Sequence, residues 1–407
     1  MRFAATVTTI ALLALAAPAA AQRGMPKPLP PEALVDAAEP AQAAWLEKNI
    51  VAEGPIAGGI AFRFPADFYR SKLILLGESH GFAAPQVVDL ELLTHLNRRI
   101  GLRDYVAEVD PVQADYLNRY LATGDEALLS RVFDFWTTGG AQWGNRNFAD
   151  KIRGIRRLNQ TLPADRRIRL LGVDAIQDWK LAAEWIGNGD AATVTRLTAA
   201  AKEERAKAYR TALADRSGAV ARQLAATLDD AVAGKGRETI IFDSYARAVR
   251  GDLLGNRPAY GLWGMYHVMQ GGINKTQPFA ARVAASDLPA AKAMTSIALL
   301  ALDSAVQIPA PLPTGVRRMR LTNFNIDGPY VMVKGAATLL AASRPNTVRI
   351  FALGAKDTPF TGASFSQVTT SVGQSFVPDD VTPAARRMAQ YVGTFSNSDW
   401  AAPREAQ

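Results

Sequence analysis

Short unbroken apolar runs alternate with amphipathic stretches of helical period along this chain, and that alternation restricts it to an α/β architecture. Residues 72–76 (KLILL) read as a buried strand ended by Gly77, residues 105–107 as a second, and 168–173 as a third. Further strands are expected at 259–264, 331–333 and 347–353. Between them, residues 85–99 place Val87, Val88, Leu90, Leu92, Leu93 and Leu96 on one wide helical stripe. Pro111 opens a helix reaching about Leu121, and helices are expected at 41–49, 148–158 and 238–251. Strands that are apolar throughout are covered on both faces, so the expectation is a mostly parallel central sheet with helices on either side. The stretch from about 180 to 235 is rich in Ala, Arg and Glu and poor in strand formers, which predicts a large helical insertion or cap.

The ends of the chain suggest export. Met1-Arg2-Phe3, an apolar stretch over 4–17 and Ala19-Ala20-Ala21 follow the order of a secretory signal peptide, so cleavage is expected after Ala21. Residues 22–37 form a Pro-rich leader, and 38–407 are expected to be a single α/β domain that includes the insertion. No later run is apolar for the length of a membrane span, which predicts a soluble protein, periplasmic or secreted, with no transmembrane helix after cleavage. With no Cys there are no disulfides, no thiolate ligands and no Cys nucleophile, so stability falls to the core. The 48% hydrophobic content is ample for that. The net charge of +8 is dispersed rather than gathered in one stripe, which with the export signal argues against nucleic acid and reads as a mildly cationic surface favouring anionic substrates or membrane surfaces; the expected partner is a small-molecule substrate.

In a parallel sheet the strand C-termini share one edge, where ligands bind. Here those ends carry groups able to move protons. Gly77-Glu78-Ser79-His80-Gly81 follows the first strand, Glu108 the second, Asp174 the third, and Met265-Tyr266-His267 the strand at 259–264. Two of only three histidines therefore fall at strand ends. Taken singly, each residue has a plainer reading: Glu78 as a partner of the next helix N-terminus, His80 as a helix-entry residue, Glu108 as a loop acid, His267 as a satisfied core residue. Asp174 reads more readily as a helix cap or as the holder of an Arg or His. Their joint occurrence favours a site. His95 has no acid beside it and is taken as structural. No Gly-x-Ser-x-Gly elbow, Walker loop, dinucleotide fingerprint or His-Glu-x-x-His motif occurs, and Ser79 is too near His80 in sequence to form a triad with it. A water activated by His80 is the simpler chemistry.

The run Leu75-Leu76-Gly77-Glu78-Ser79-His80-Gly81 resembles the strand-ending Gly-Glu-x-(x)-His-Gly motif of the erythromycin esterase and ChaN-like superfamily, to which Tiki/TraB-type proteins are related. Val106-Ala107-Glu108 with the helix end at 114–124, Gly172-Val173-Asp174 and Gly264-Met265-Tyr266-His267 are similar to the family's later elements, about half the chain in all. The resemblance implies a catalytic set of Glu78, His80, Glu108 and His267. It also implies a metal-free esterase-type hydrolysis, with no cofactor required. Its relatives leave two alternatives open: haem or iron binding, as in ChaN-like members, and a divalent-metal hydrolase, as in Tiki-like members. The chain departs from the macrolide esterases in having one residue fewer between Glu and His, and in lacking a clean Arg-Asp-x-x-Met-Ala helix. Arg247 and Arg250 are its nearest counterparts and, with Asp174, are expected at the substrate. The departures point away from a macrolide while leaving hydrolysis in place.

Overall fold

A computed structural model describes residues 36–405 apart from 313–314, 356 and 372–374. The expected signal peptide and nearly all of the leader lie outside the described residues. Nine strands form the main sheet: β1 (Ile50–Pro55), β2 (Ala61–Phe62), β3 (Leu73–Glu78), β4 (Asp104–Ala107), β5 (Arg169–Gly172), β6 (Ala259–Gly264), β7 (Met294–Leu302), β8 (Thr347–Ala352) and β9 (Tyr391–Ser396). Their order is β2-β1-β8-β9-β7-β3-β6-β4-β5. The six strands from β9 to β5 run parallel, and the flank formed by β8, β1 and β2 is joined by antiparallel pairs. The fold is α/β, mostly parallel, with helices on both faces.

Twelve helices surround the sheet among the described residues: α1 (Pro40–Lys48), α2 (Ala84–Ile100), α3 (Pro111–Thr123), α4 (Glu126–Thr138), α5 (Arg146–Thr161), α6 (Trp179–Gly187), α7 (Ala191–Thr198), α8 (Arg205–Ala212), α9 (Ala219–Val232), α10 (Arg237–Arg250), α11 (Phe279–Ala284) and α12 (Ala336–Ala341). Every residue of β3, β6 and β7 is buried, as double-sided cover requires. Alternate side chains serve opposite layers. Ile74 and Leu76 of β3 join the core under α2–α9, whereas Leu73 and Leu75 join the one under α10 and α11. The stretch 180–235 holds four short helices, α6–α9, and their Leu181, Leu197, Tyr209 and Leu224 reach the same core as β3. None of the described helices is long and apolar enough to cross a membrane.

Some elements differ from the sequence reading. Val331–Val333 joins no main-sheet strand; it pairs antiparallel with Val368–Thr370 in a small separate sheet. A hairpin of Val306–Leu312 with Gly315–Leu321 stands apart from the main sheet. The chain runs from β3 out to β4 and β5, then returns to lay β6 between β3 and β4 and β7 on the other side of β3. That reversal sets the C-terminal ends of β3, β6, β4 and β5 side by side.

Candidate active site

β3 and β6 pair in register up to Glu78 opposite Gly264, so the residues that follow each strand emerge together. Beyond β3 the chain turns at Gly81, whose φ of 96° is in the left-handed region that favours glycine. Its carbonyl accepts the amides of Gln307 and Ala401, each at 2.8 Å, so the hairpin and the C-terminal segment clamp the His80 turn. Beyond β6 a 3-10 turn, Met265–Val268, carries His267. Gly264 lets both imidazoles approach: a methyl group on its Cα would lie 3.2 Å from His80 Nε2 and 3.4 Å from His267 Cδ2. Glu108, next after β4, accepts the Gly264 amide through Oε2 at 2.8 Å.

His80 Nδ1 lies 3.2 Å from Glu78 Oε1, and Gln86 Nε2 donates to both Glu78 oxygens at 3.3 and 3.2 Å. The His80 ring meets Trp143 edge-on with centroids 5.1 Å apart. Beside it is a cavity of about 40 Å³ walled by Glu78, His80, Glu108, Lys151, Gln177 and the indoles of Trp136, Trp143 and Trp263. A water needs roughly 10–15 Å³ of such space, so the cavity suits water rather than a large substrate. Lys151, the cation on that wall, is buried 2.7 Å from Asp89 Oδ2, which also accepts the Tyr105 hydroxyl at 2.7 Å.

A second cluster stands on the far side of Glu108. Arg237, the first residue of α10, donates from Nε and Nη2 to Asp174 at 2.9 and 2.6 Å and from Nη2 to Glu108 Oε1 at 2.7 Å. His267 Nε2 is 3.3 Å from Glu108 Oε1 and 3.2 Å from Arg237 Nη1, while Nδ1 is 2.9 Å from Glu238 Oε1. Glu238 in turn accepts the Phe279 amide at 2.8 Å. Gln177 ties the two halves, donating to Asp174 at 2.7 Å and accepting the Trp136 indole at 3.2 Å.

Charge decides the protonation states. Burial opposes a charged His80, but the hydrogen bond and charge of Glu78, with Glu108 beyond, raise its pKa above the ordinary imidazole value. Burial likewise opposes charge on His267, yet Glu108 and Glu238 on its two nitrogens push it up to about 10. Burial favours a protonated Glu108, but His267, Arg237 and His80 hold it well below the usual carboxylate range.

The structure thus brings Glu78, His80, Glu108 and His267 together. Asp174 is there too, but fully buried beneath Arg237, so it holds the guanidinium rather than meeting a substrate. Arg247 and Arg250 are not brought in. Arg247 pairs with Asp230 of α9, and Arg250 with Asp287, each at 2.7 Å. They sit ten and thirteen residues past Arg237, about 15–20 Å along α10, because the N-terminus of that helix faces the site. At the start of α10, Arg237-Glu238-Thr239-Ile240-Ile241-Phe242 carries an arginine, an acid and an apolar residue at the spacing of the Arg-Asp-x-x-Met-Ala pattern. Sequence reasoning passed over it, along with Gln86, Lys151, Gln177 and Trp143. Among the described residues no group of three or more His, Asp and Glu is arranged to hold a metal ion. The two carboxylates on His267 lie on opposite ring nitrogens, and Arg237 fills the place between Glu108 and Asp174 that a cation would take.

No protein-family model and no curated protein matches the chain. Solved structures do. The erythromycin esterase EreC, as a His→Asn variant in its open conformation, superposes with a TM-score of 0.54 at 13% identity, over 81% of this chain and 92% of that one. The chain has the erythromycin esterase fold. A Bacillus cereus protein aligns at TM-score 0.62 and 13% identity over 93% of this chain and all of its own. A succinoglycan biosynthesis protein aligns at 0.59 and 10% identity over 90% of this chain and all of its own.

Proposed function

We infer that the protein is an exported hydrolase that cleaves an ester or related acyl bond of a small molecule with a water activated by His80. The observation that carries this reading is the Glu78–His80 pair facing a water-sized cavity. Glu78 holds Nδ1, which leaves Nε2 to take a proton from water as its oxygen attacks the acyl carbon. The carbonyl oxygen gains negative charge in that step. Lys151 on the cavity wall is the cation placed to receive it. Collapse breaks the carbon–oxygen bond, and the leaving alkoxide takes a proton from the His80 imidazolium. Water is the only co-reactant the scheme uses.

His80 accepts a proton only when neutral, so its raised pKa places the rise in activity above the usual imidazole midpoint. The haem and divalent-metal readings draw less support, since both nitrogens of His267 already face carboxylates. The test is hydrolysis of a panel of esters, lactones and peptides by purified protein and by His80→Ala, with and without chelator. Turnover that survives chelator and disappears in the variant supports the reading. Turnover abolished by chelator, or retained in His80→Ala, defeats it.

A further inference from the structure

The cavity beside His80 has few polar atoms left to offer. On its wall, Glu78 is engaged by Gln86 and His80, Glu108 by Arg237 and the Gly264 amide, and Gln177 by Asp174 and Trp136. The Trp136 and Trp263 indoles donate their N–H groups to Gln177 Oε1 and, at 3.1 Å, to the Val106 carbonyl. Of the three N–H groups of Lys151, Asp89 accepts one at 2.7 Å and the Tyr105 hydroxyl another at 3.4 Å. Apart from the half-buried Trp143 indole, the wall keeps for a ligand only His80 Nε2 and one N–H of Lys151 among the described residues. The room is as limited as the chemistry. A water takes roughly 10–15 Å³ of such space, so about 40 Å³ holds about three groups of that size. One is the attacking water, which leaves space for a carbonyl and a methyl group. The walls are also held against widening. Trp136 packs against Phe133 and Phe148 with ring centroids 5.0 and 5.7 Å away, and Trp263 stacks on Phe279 at 5.0 Å. The loop bearing Trp143 is pinned by Gln142, which donates to the Gln307 carbonyl at 2.6 Å, and by Arg318, which donates to the Gly140 and Ala141 carbonyls.

One proton acceptor, one cation and a small room of aromatic rings describe the acyl half of a short ester. Resting on the hydrolase reading above, we propose that the substrate is an acetate-type ester whose acyl group is selected by the indoles of Trp136, Trp143 and Trp263. Its methyl group lodges among those rings, and its carbonyl oxygen accepts from Lys151. The alcohol part lies on the open side of the half-buried His80 and Trp143. Water adds at the acyl carbon, and acetate and the free alcohol leave. A longer acyl chain has no room beyond the methyl, and forcing it in displaces rings that are already packed. A lactone fails for the same reason, since its acyl side continues into its own ring. The indoles thus set the acyl length and leave the alcohol to the surface outside.

The test compares kcat/KM for 4-nitrophenyl acetate, butyrate and octanoate with the purified protein, with His80→Ala and with Trp143→Ala. Trp143 is half-buried on a loop, so its truncation costs less than that of buried Trp136 or Trp263; Trp143→Leu is the milder variant should the alanine not fold. Phe148 is left in place because the Lys151 ammonium rests 4.0 Å over its ring. The expected result is acetate favoured over butyrate by at least about tenfold, since one methylene is worth about 10–200-fold in an apolar pocket, with octanoate slower still. In the Trp143 variants the acetate-to-butyrate ratio should fall toward one. The ratio is read within one variant, so a general loss of rate from a change beside His80 cancels. Butyrate or octanoate cleaved by the parent as well as acetate, or a ratio that the Trp143 variants leave unmoved, overturns the proposal and leaves the hydrolase reading standing. Cleavage of no ester, or cleavage that survives His80→Ala, overturns that reading and this proposal with it.

Discussion

The turn after β3 and the turn after β6, on neighbouring strands of the same sheet, each carry a histidine next to a carboxylate. Their surroundings differ. The His80 side chain is 26% exposed, has one carboxylate at hydrogen-bond distance and borders a cavity. That of His267 is 9% exposed and lies between two carboxylates, with Arg237 completing a cluster that includes buried Asp174. A ring with one engaged nitrogen can exchange a proton with something new. A ring with both engaged serves as a fixed cation. The pair shows that a histidine at a strand end is not by itself a base; what matters is how many of its nitrogens the fold has already taken.

The largest expected effect is on rate. His80→Ala removes the free nitrogen and should lower turnover by about 10²–10⁴-fold, with little change in the unfolding midpoint. A loss below about tenfold in steady-state rate would reverse the assignment of the two histidines. The opposite pattern is expected at the other turn. Arg237→Gln leaves Asp174 buried with fewer partners and unties Glu108, which should cost roughly 2 kcal/mol in chemical denaturation, the half-exposed guanidinium keeping the figure below that of a fully buried pair. A variant as stable as the parent would show that the cluster does not hold the strand ends together.

The His80 turn was legible because its signal is local: an apolar strand running straight into Gly77-Glu78-Ser79-His80-Gly81. The second cluster was half legible. Glu108, Asp174 and His267 follow strands, but Arg237 reaches Asp174 across 63 residues and Glu108 across 129, and nothing short-range marks such a contact. Arg247 and Arg250 drew attention on the same helix, at the end the fold turns away. Lys151 was hidden for a related reason, since a lysine within an arginine-rich helix reads as surface until the helix is docked. Among the strands, β7 (MTSIALLAL) was missed because a stretch with seven apolar residues in nine fits a buried helix as well as a strand. Its identity comes from the slot beside β3 and β9 that only a strand can fill.

The charge on His267 sharpens the comparison through pH. Its folded pKa of about 10 stands above the ordinary 6.5, so its contribution to stability is full below 6.5 and is lost as pH rises through about 10. Denaturant titrations of the parent and of His267→Gln across that window should therefore converge as pH rises. A stability difference that stays constant with pH would mean that His267 is neutral in the fold, its Nε2 accepting from Arg237 rather than donating to Glu108.

The smallest effect concerns the tuning of His80. Glu78→Gln keeps the shape of the side chain but replaces the charged acceptor that raises the imidazole with a neutral amide, while the opposing effect of burial remains. The His80 midpoint should then fall, carrying the acid limb of the rate profile to lower pH. With only three histidines in the chain, each ring can be followed in an NMR titration without any substrate, and substitution assigns the signals. His267, whose carboxylates are Glu108 and Glu238, should hardly move in the same experiment. If the His267 signal shifts as far as that of His80, the two turns share one proton network and the division between a free ring and a fixed one fails.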